Sequence, residues 1–461
     1  MRLALVRGRR RQGKSFLLRR LCRATNGFYY QAAEEEKAQA LAGFGAALGA
    51  HLGVPGGRLA IDSWESALRA LADLPARRGR ALVVLDEFPY MLGHSPELPS
   101  LLQRAVDQSR DDGPPIRLVL CGSALSVMAS MLTGAQALRG RASLDIVVQT
   151  FDHRTSAGFW GIDDPATAFL VHAVVGGTPG YRDLLPAAPP RRVADLGRWL
   201  AAGPLNPSSA MFREDEYLLT EERSLTDRAL YHSVVRAIAE GSTTQATISA
   251  FLGREQRAVQ HPLKALEEAG FVTRTADALR DRRPIYRLTD PIVRFHHVVT
   301  RRDLARFEER RTLDAWADAQ PRFATHVLGP HFEDIARAFT FSYAAVATVG
   351  GRVATVGPAV INDPDARTQH ELDVVALGRN PNGSSTVLAL GEAKHTRVKR
   401  TPADLRRLEH LRDLATVRNP SSAEAKLLLF SASGFERNLA NEATRRDDIE
   451  LIDLERIYNG D

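Results

Sequence analysis

The chain has 461 residues, of which 44% are apolar and 25% charged, and a formal net charge of +6. That length and balance describe a globular protein of two to four domains and exclude a disordered or collagen-like chain. No apolar run approaches the ~20 residues that cross a bilayer, and residues 2–11 are too basic to open a signal peptide, so a cytoplasmic protein without a membrane partner is expected.

Two lone cysteines, Cys22 and Cys121, sit in apolar surroundings and read as buried thiols of a reducing compartment rather than a bridge. The positive charge permits contact with nucleic acid without establishing it. Among 61 basic residues only six are lysines, at 14, 37, 264, 394, 399 and 426. Where arginine is the default cation, a lysine marks a task that suits a compact point charge, such as a phosphate contact. Lys14 and Lys394 both fall in motifs of that kind.

Residues 1–6 form a short apolar strand that runs into Gly8-Arg9-Arg10-Arg11-Gln12-Gly13-Lys14-Ser15, the spacing G-x-x-x-x-G-K-S, with a helix over 16–23 beyond it. Strand, loop and helix N-terminus are the context a polyphosphate requires. Backbone N–H groups from Gly8 through Phe16 would point at its oxygens. Lys14 would reach the outer phosphates and Ser15 would ligate Mg²⁺, so a nucleoside triphosphate is the expected ligand.

Residues 27–30 supply a second strand. Residues 81–87, Ala-Leu-Val-Val-Leu-Asp86-Glu87, read as a buried strand of a parallel sheet ending in two carboxylates. Asp86 would hold Mg²⁺ through water, and Glu87 would polarise the water that attacks the γ-phosphate. The next strand, from 116, ends at Ser123, which either senses the γ-phosphate or caps a helix over 124–132. A further strand lies over 144–150. Five strands with intervening helices predict a doubly wound α/β core.

The segments Gly8–Ser15, Leu85-Asp-Glu-Phe-Pro-Tyr90, Cys121-Gly-Ser123, Leu138-Arg-Gly-Arg141 and Gly176-Gly-Thr-Pro-Gly-Tyr181 resemble the archaeal-type ATPase family, one of the AAA-like signal-transduction ATPases. The resemblance implies ATP as ligand, a core over 1–165 and a helical lid over 166–224. It would put Pro179 on the nucleotide side of the lid. Arg139 or Arg141 would meet the phosphates or a neighbouring copy's site, the alternative being plain surface charge. Family members usually carry a helix and loop before the first strand that help form the base pocket; here the chain opens on the strand, so adenine preference comes from the resemblance alone.

Residues 225–300 read as a helix-turn-helix followed by a two-stranded wing. Arg254, Arg257, Gln260 and Lys264 would face phosphates or base edges, and Arg280, Arg282 and Arg283 fall in a basic loop. Pro262 is expected to kink the second of the two helices. In the resembling ATPases such a winged helix also serves as a lid or spacer. Residues 301–311 are expected to be a charged helix with a solvated face.

The last part, 315–461, carries a second chemistry. A helix over 321–341 bears Glu333, a strand begins near Asp373, and after a turn at 381–385 the partner strand ends Gly391-Glu392-Ala393-Lys394. Residues two apart on a strand share a face, so Glu392 and Lys394 point together and a hairpin brings Asp373 beside them. Asp373, Glu392 and Glu333 are the candidate ligands for Mg²⁺ or Mn²⁺, with Lys394 placed to activate water or steady charge on a phosphate. His370–Asp373, Gly391–Lys394 and Glu333 resemble the motifs of the PD-(D/E)XK nuclease superfamily, in the form of the DUF234-type domain fused to archaeal-type ATPases. His395 reads as a substrate-facing residue or a polar strand end.

The expected protein is therefore an ATP-binding, Mg²⁺-dependent ATPase with a helical lid, a winged helix and a restriction-endonuclease-like α/β domain. Its expected partners are DNA and a second copy or another protein. The alternatives are a nucleotide-dependent signalling switch and a winged-helix DNA-binding regulator, each without nuclease turnover.

Overall fold

The structure, a computed structural model, describes every residue but 75–80, 113–115, 134–135, 223–224 and 226, and only the backbone of 109–112, 221 and 281–283. The chain divides into two compact units. The first holds 1–150 with 220–226 and 268–270, and the second holds the remainder.

In the first unit five strands, β1 (Arg2–Arg7), β2 (Phe28–Gln31), β3 (Leu82–Asp86), β4 (Arg117–Gly122) and β5 (Ala142–Val147), make one parallel sheet in the order β2-β3-β4-β1-β5. The doubly wound α/β expectation holds. The Val83-Val84-Leu85 run of β3 is buried because helices cover both faces of a parallel sheet. An aromatic set fixes one helical layer: Phe44 meets Phe28 and Trp64 edge-on at 5.5 Å, and Trp64 Nε1 donates to Ser95 Oγ at 2.8 Å. Because β4 lies between β1 and β3, the loop after β1 and the tip of β3 flank Cys121 and Gly122.

The expected core boundary at 165 moves back to Thr150. The reason is packing within the second unit. The helix His153–Trp160 lies against the helix Pro165–Val175, and Arg154 Nε donates to the Ile457 carbonyl at 2.7 Å. The stretches expected as helical lid, winged helix and C-terminal domain fall within one compact unit.

Within that unit, helices Arg228–Ala239, Gln245–Leu252 and Gln256–Glu268 precede a hairpin of β6 (Val272–Asp277) and β7 (Arg280–Leu288). Thr244 closes a capping box on the second helix, and Gly253, at φ +63°, ends it. The expected kink at Pro262 is not a break: the helix runs through it, with the ring buried among Val259, Leu263 and Leu266. The basic loop is also corrected. Arg280, Arg282 and Arg283 lie on β7, while the turn is Ala278–Leu279; the side chains of 282 and 283 fall outside the described ones. The segment 301–311 is not one helix but a 3₁₀ turn, Arg301–Asp303, followed by a short helix, Leu304–Glu308; most of its charged side chains are exposed, as expected.

The C-terminal sheet runs β12-β11-β10-β9-β8: β8 (Thr355–Asp363), β9 (Thr368–Arg379), β10 (Ser385–Lys394), β11 (Lys426–Ser431) and β12 (Ile449–Asp453). β8, β9 and β10 pair antiparallel, and β10, β11 and β12 parallel. β8 is absent from the sequence reading, and its strand contains Gly357-Pro358. The structure accommodates it with a register shift, and Pro358 sits on the sheet edge. There its carbonyl accepts from Ala278 N–H of the hairpin turn at 2.9 Å, and Asp277 accepts from Val360 N–H at 3.0 Å. No helix of the described residues is long and apolar enough to cross a membrane.

Candidate functional site

β1 delivers the glycine-bounded loop to the carboxyl edge of the first sheet. A Cβ at Gly8 would stand 2.8 Å from the Val148 carbonyl oxygen, so no side chain fits. Gly13, at φ +87°, turns the chain into the helix Lys14–Thr25. Lys14 is buried and its Nζ donates to the Arg9 carbonyl at 2.9 Å, folding the ammonium back over the loop. Burial lowers its pKa, against the opposing pull of Cys121, Glu87 and Asp86. Phe16 points outward and is 65% exposed, so only its backbone belongs to the loop.

Asp86 ends β3 fully buried. Burial would raise its pKa, but hydrogen bonds from Cys121, Ser15, Tyr29 and the Glu87 N–H outweigh that and hold it below the usual carboxylate value. Ser15 and Asp86 are thus already joined, the pair expected to share one cation. Glu87 takes a left-handed backbone, φ +54°, a conformation that costs a non-glycine residue about 1–2 kcal/mol and is found at functional sites. Burial and the Asp86 charge raise its pKa, and Lys14 opposes them. Ser123 Oγ donates to Glu87 Oε2 at 3.2 Å. Its capping alternative fails, because Ala124 caps the following helix without a side-chain bond.

The loop, Lys14, Ser15, Asp86, Glu87 and Ser123 therefore meet at one sheet edge. Tyr29 and Cys121, both touching Asp86, were not singled out for this site. Arg141 is clamped to Asp107 through Nε at 3.0 Å and Nη2 at 2.8 Å, which makes it a structural tie; Arg139 is exposed. Pro179 opens a short 3₁₀ turn, Pro179–Leu184, in the second unit.

In the second unit the helix Gly329–Ser342 carries Glu333, β9 carries Asp373 and β10 carries Glu392 and Lys394. They do gather. Asp373 accepts the Ala393 N–H at 2.8 Å, and its pKa is raised by burial and then by the charges of Glu333 and Glu392. Lys394 Nζ lies 3.6 Å from Glu392 Oε2 and 3.4 Å from Asp404 Oδ1. A cavity of about 170 Å³, lined by Glu333, Asp373, Glu371, Arg287 and Arg294 among others, adjoins them and is too small for a nucleotide. His395 stacks on Phe169 at 5.0 Å, which makes it a packing residue.

The arginines here were not anticipated. Arg287 of β7 pairs with Glu333 at 2.9 Å, and Arg337 holds Asp334 at 2.6 Å while donating to the Asp373 carbonyl at 2.6 Å. Glu392 uses both oxygens: Arg400, itself 2% exposed, takes Oε2 at 2.8 Å, and Arg407 takes Oε1 at 2.9 Å. Three carboxylates suit an oxygen-seeking divalent cation in kind. With Glu333 held by Arg287, and Glu392 by the buried Arg400 and the half-exposed Arg407, an ion could enter only by displacing guanidinium groups. As arranged, the residues do not fit a metal.

No protein-family model matches the chain. An uncharacterized protein of Methanocaldococcus jannaschii, MJECL04, is 22% identical over 311 residues, covering 66% of this chain; the chain spans 65% of that relative's length. Among solved structures, the Walker-type ATPase PABY2304 of Pyrococcus abyssi is 22% identical with a TM-score of 0.48, covering 64% of this chain and 90% of that one. The ORC2 protein of Aeropyrum pernix, in its ADPNP–ADP complexes, is 16% identical with a TM-score of 0.38, covering 69% and 89%.

Proposed function

We propose that this chain is a Mg²⁺-dependent ATPase. The observation that carries the reading is the meeting of Lys14, Ser15, Asp86 and Glu87 at the carboxyl ends of β1 and β3. Loop N–H groups from Gly8 to Phe16 would bind the phosphates and Lys14 would neutralise their outer oxygens. Ser15 and Asp86 would hold Mg²⁺, which supplies charge neutralisation on the leaving phosphate. Glu87, with Ser123 directing its carboxylate, would accept a proton from the attacking water. ATP is preferred over GTP on the family resemblance of the motif residues. Phosphate release with Mg²⁺ and ATP is the test. Glu87→Gln should bind ATP normally and lose roughly 10²–10⁴ in rate, and Lys14→Ala should lose both. Wild-type turnover by Glu87→Gln would defeat the assignment.

The three helices and hairpin over 228–288 are read as a winged helix, and β8–β12 with their helices as a PD-(D/E)XK-like domain, with DNA as partner. Support for DNA is the exposed row Arg254, Arg257, Gln260 and Lys264. The arginine pairs on Glu333 and Glu392 favour a second reading, in which the ATPase is a switch and the C-terminal domain binds DNA or a protein without cutting. A cleavage assay with Mg²⁺ or Mn²⁺, with and without ATP, separates them. Nicking abolished by Asp373→Ala supports a nuclease; salt-sensitive DNA retention without nicking supports the switch.

A further inference from the structure

We propose that Asp215, His232 and His297 form a binding site for a first-row divalent transition ion of the zinc type. The three come from separate segments of the second unit: the helix Glu214–Glu221, the helix Arg228–Ala239 and the π-helical turn His296–Thr300. One ligand atom from each lies within 4.8 Å of the other two. An imidazole–imidazole–carboxylate set is the chemistry of zinc and its neighbours, not of Mg²⁺ or Ca²⁺.

A buried Asp–His hydrogen-bond relay is the ordinary alternative, and the geometry disfavours it. The Asp215 side chain is wholly buried, yet neither carboxylate oxygen receives a hydrogen bond among the described residues, and neither ring nitrogen of buried His297 has a partner. His296 Nδ1 lies 3.0 Å from Asp215 Oδ1 without meeting hydrogen-bond geometry. An uncompensated buried carboxylate is costly, and native proteins seldom retain one without a partner. His297 Nε2 stands 3.7 Å from Asp215 Oδ2, too far for a hydrogen bond. Two ligands of one tetrahedral ion at bonds of about 2.0–2.1 Å are roughly 3.3 Å apart, so a small inward shift completes the site. The π-helical turn points the same way: a wide turn sets His296 and His297 both inward, and such turns recur at functional sites.

The ion would clip three segments together and leave a fourth position for His296 or water. Arg301 Nη1 lies 3.3 Å from His232 Nδ1 and would compete with the ion for that ring. A second cluster, Asp363, His370 and His410, differs in that Asp363 already accepts from the N–H groups of Asp365 and Ala366 at 3.1 and 3.0 Å and lies 3.1 Å from His410 Nε2.

The test uses tag-free full-length protein, stripped with a chelator and titrated with Zn²⁺ and, separately, Co²⁺. One tight equivalent per chain is expected, with a visible Co²⁺ band of a tetrahedral site and a Tm raised by roughly 5 °C at a hundredfold excess over Kd. His232→Ala, at a partly exposed position, and His297→Ala should each remove the equivalent and the shift. His410→Ala should leave both, and Arg301→Ala should tighten binding. An equivalent that survives His232→Ala, one lost in His410→Ala, or no retained metal in the folded wild type would overturn the site.

Discussion

Replacing Arg287 by methionine tests how the C-terminal carboxylates are held. Its guanidinium lies 2.9 Å from Glu333 and 3.7 Å from Asp334, with only 15% of its side chain exposed. At an effective dielectric near 20, a pair at that shorter distance attracts with about 6 kcal/mol before desolvation is charged against it. Breaking a buried pair by removing one partner costs about 3–5 kcal/mol. Arg337, 3.9 Å from Glu333, and Arg294, 3.3 Å from Asp334, remain as partial compensation. The expected loss for Arg287→Met is therefore about 2–4 kcal/mol, read by urea denaturation. Glu333 already has its pKa raised by burial against Arg287 and Arg337, and losing Arg287 raises it further. A carboxylate with a raised folded pKa gives most stability below its unfolded value and loses it as pH rises through the folded one. The gap between variant and wild type should thus be smaller at pH 5 than at pH 8. Adding Glu333→Leu to the variant should recover most of the loss. A single-variant cost under ~1 kcal/mol, or a gap that widens in acid, would refute the reasoning.

The raised pKa of Glu87 places the acidic limb of the ATPase rate profile above the ordinary glutamate value of 4.5; a limb at or below that value would remove Glu87 as the base. Gly8→Ala should abolish nucleotide binding while the far-ultraviolet circular dichroism stays native, because the new methyl meets the Val148 carbonyl oxygen; retained affinity in calorimetry would show that the loop can shift. Burial holds His153 and His172 down at about 4, so each is neutral when folded. A base whose folded pKa is lowered contributes stability that is full above its unfolded value of 6.5 and is lost as pH falls toward 4, here about 3 kcal/mol each. Denaturation midpoints flat from pH 7 to 4.5 would contradict this.

The nucleotide loop was legible because its parts are contiguous: Gly8, Gly13, Lys14 and Ser15 state their geometry in eight residues. Asp86 and Glu87 followed from a buried strand of recognisable composition. Tyr29 and Cys121 did not, since their contact with Asp86 depends on the strand order β2-β3-β4-β1-β5, which no local pattern encodes. Spacing brought Asp373, Glu392 and Lys394 together on paper, yet it could not reveal that Arg400 and Arg407 would claim Glu392, or that Arg287 would claim Glu333. In a chain where arginine is the common cation, one arginine carries no contrast against the others. Pro262 does not end its helix and Pro358 does not end its strand: a proline forbids one hydrogen bond, and a buried helix face or a sheet edge can forgo it.

The hairpin turn that reaches Pro358 and Val360 has a practical corollary for anyone dissecting this molecule. Severing the chain anywhere between 289 and 354 would strip those partners from the outermost strand of the C-terminal sheet. The freed fragment would show an unpaired, partly apolar border ready to recruit another copy of itself. The helical module and the sheet are best handled as a single inseparable piece.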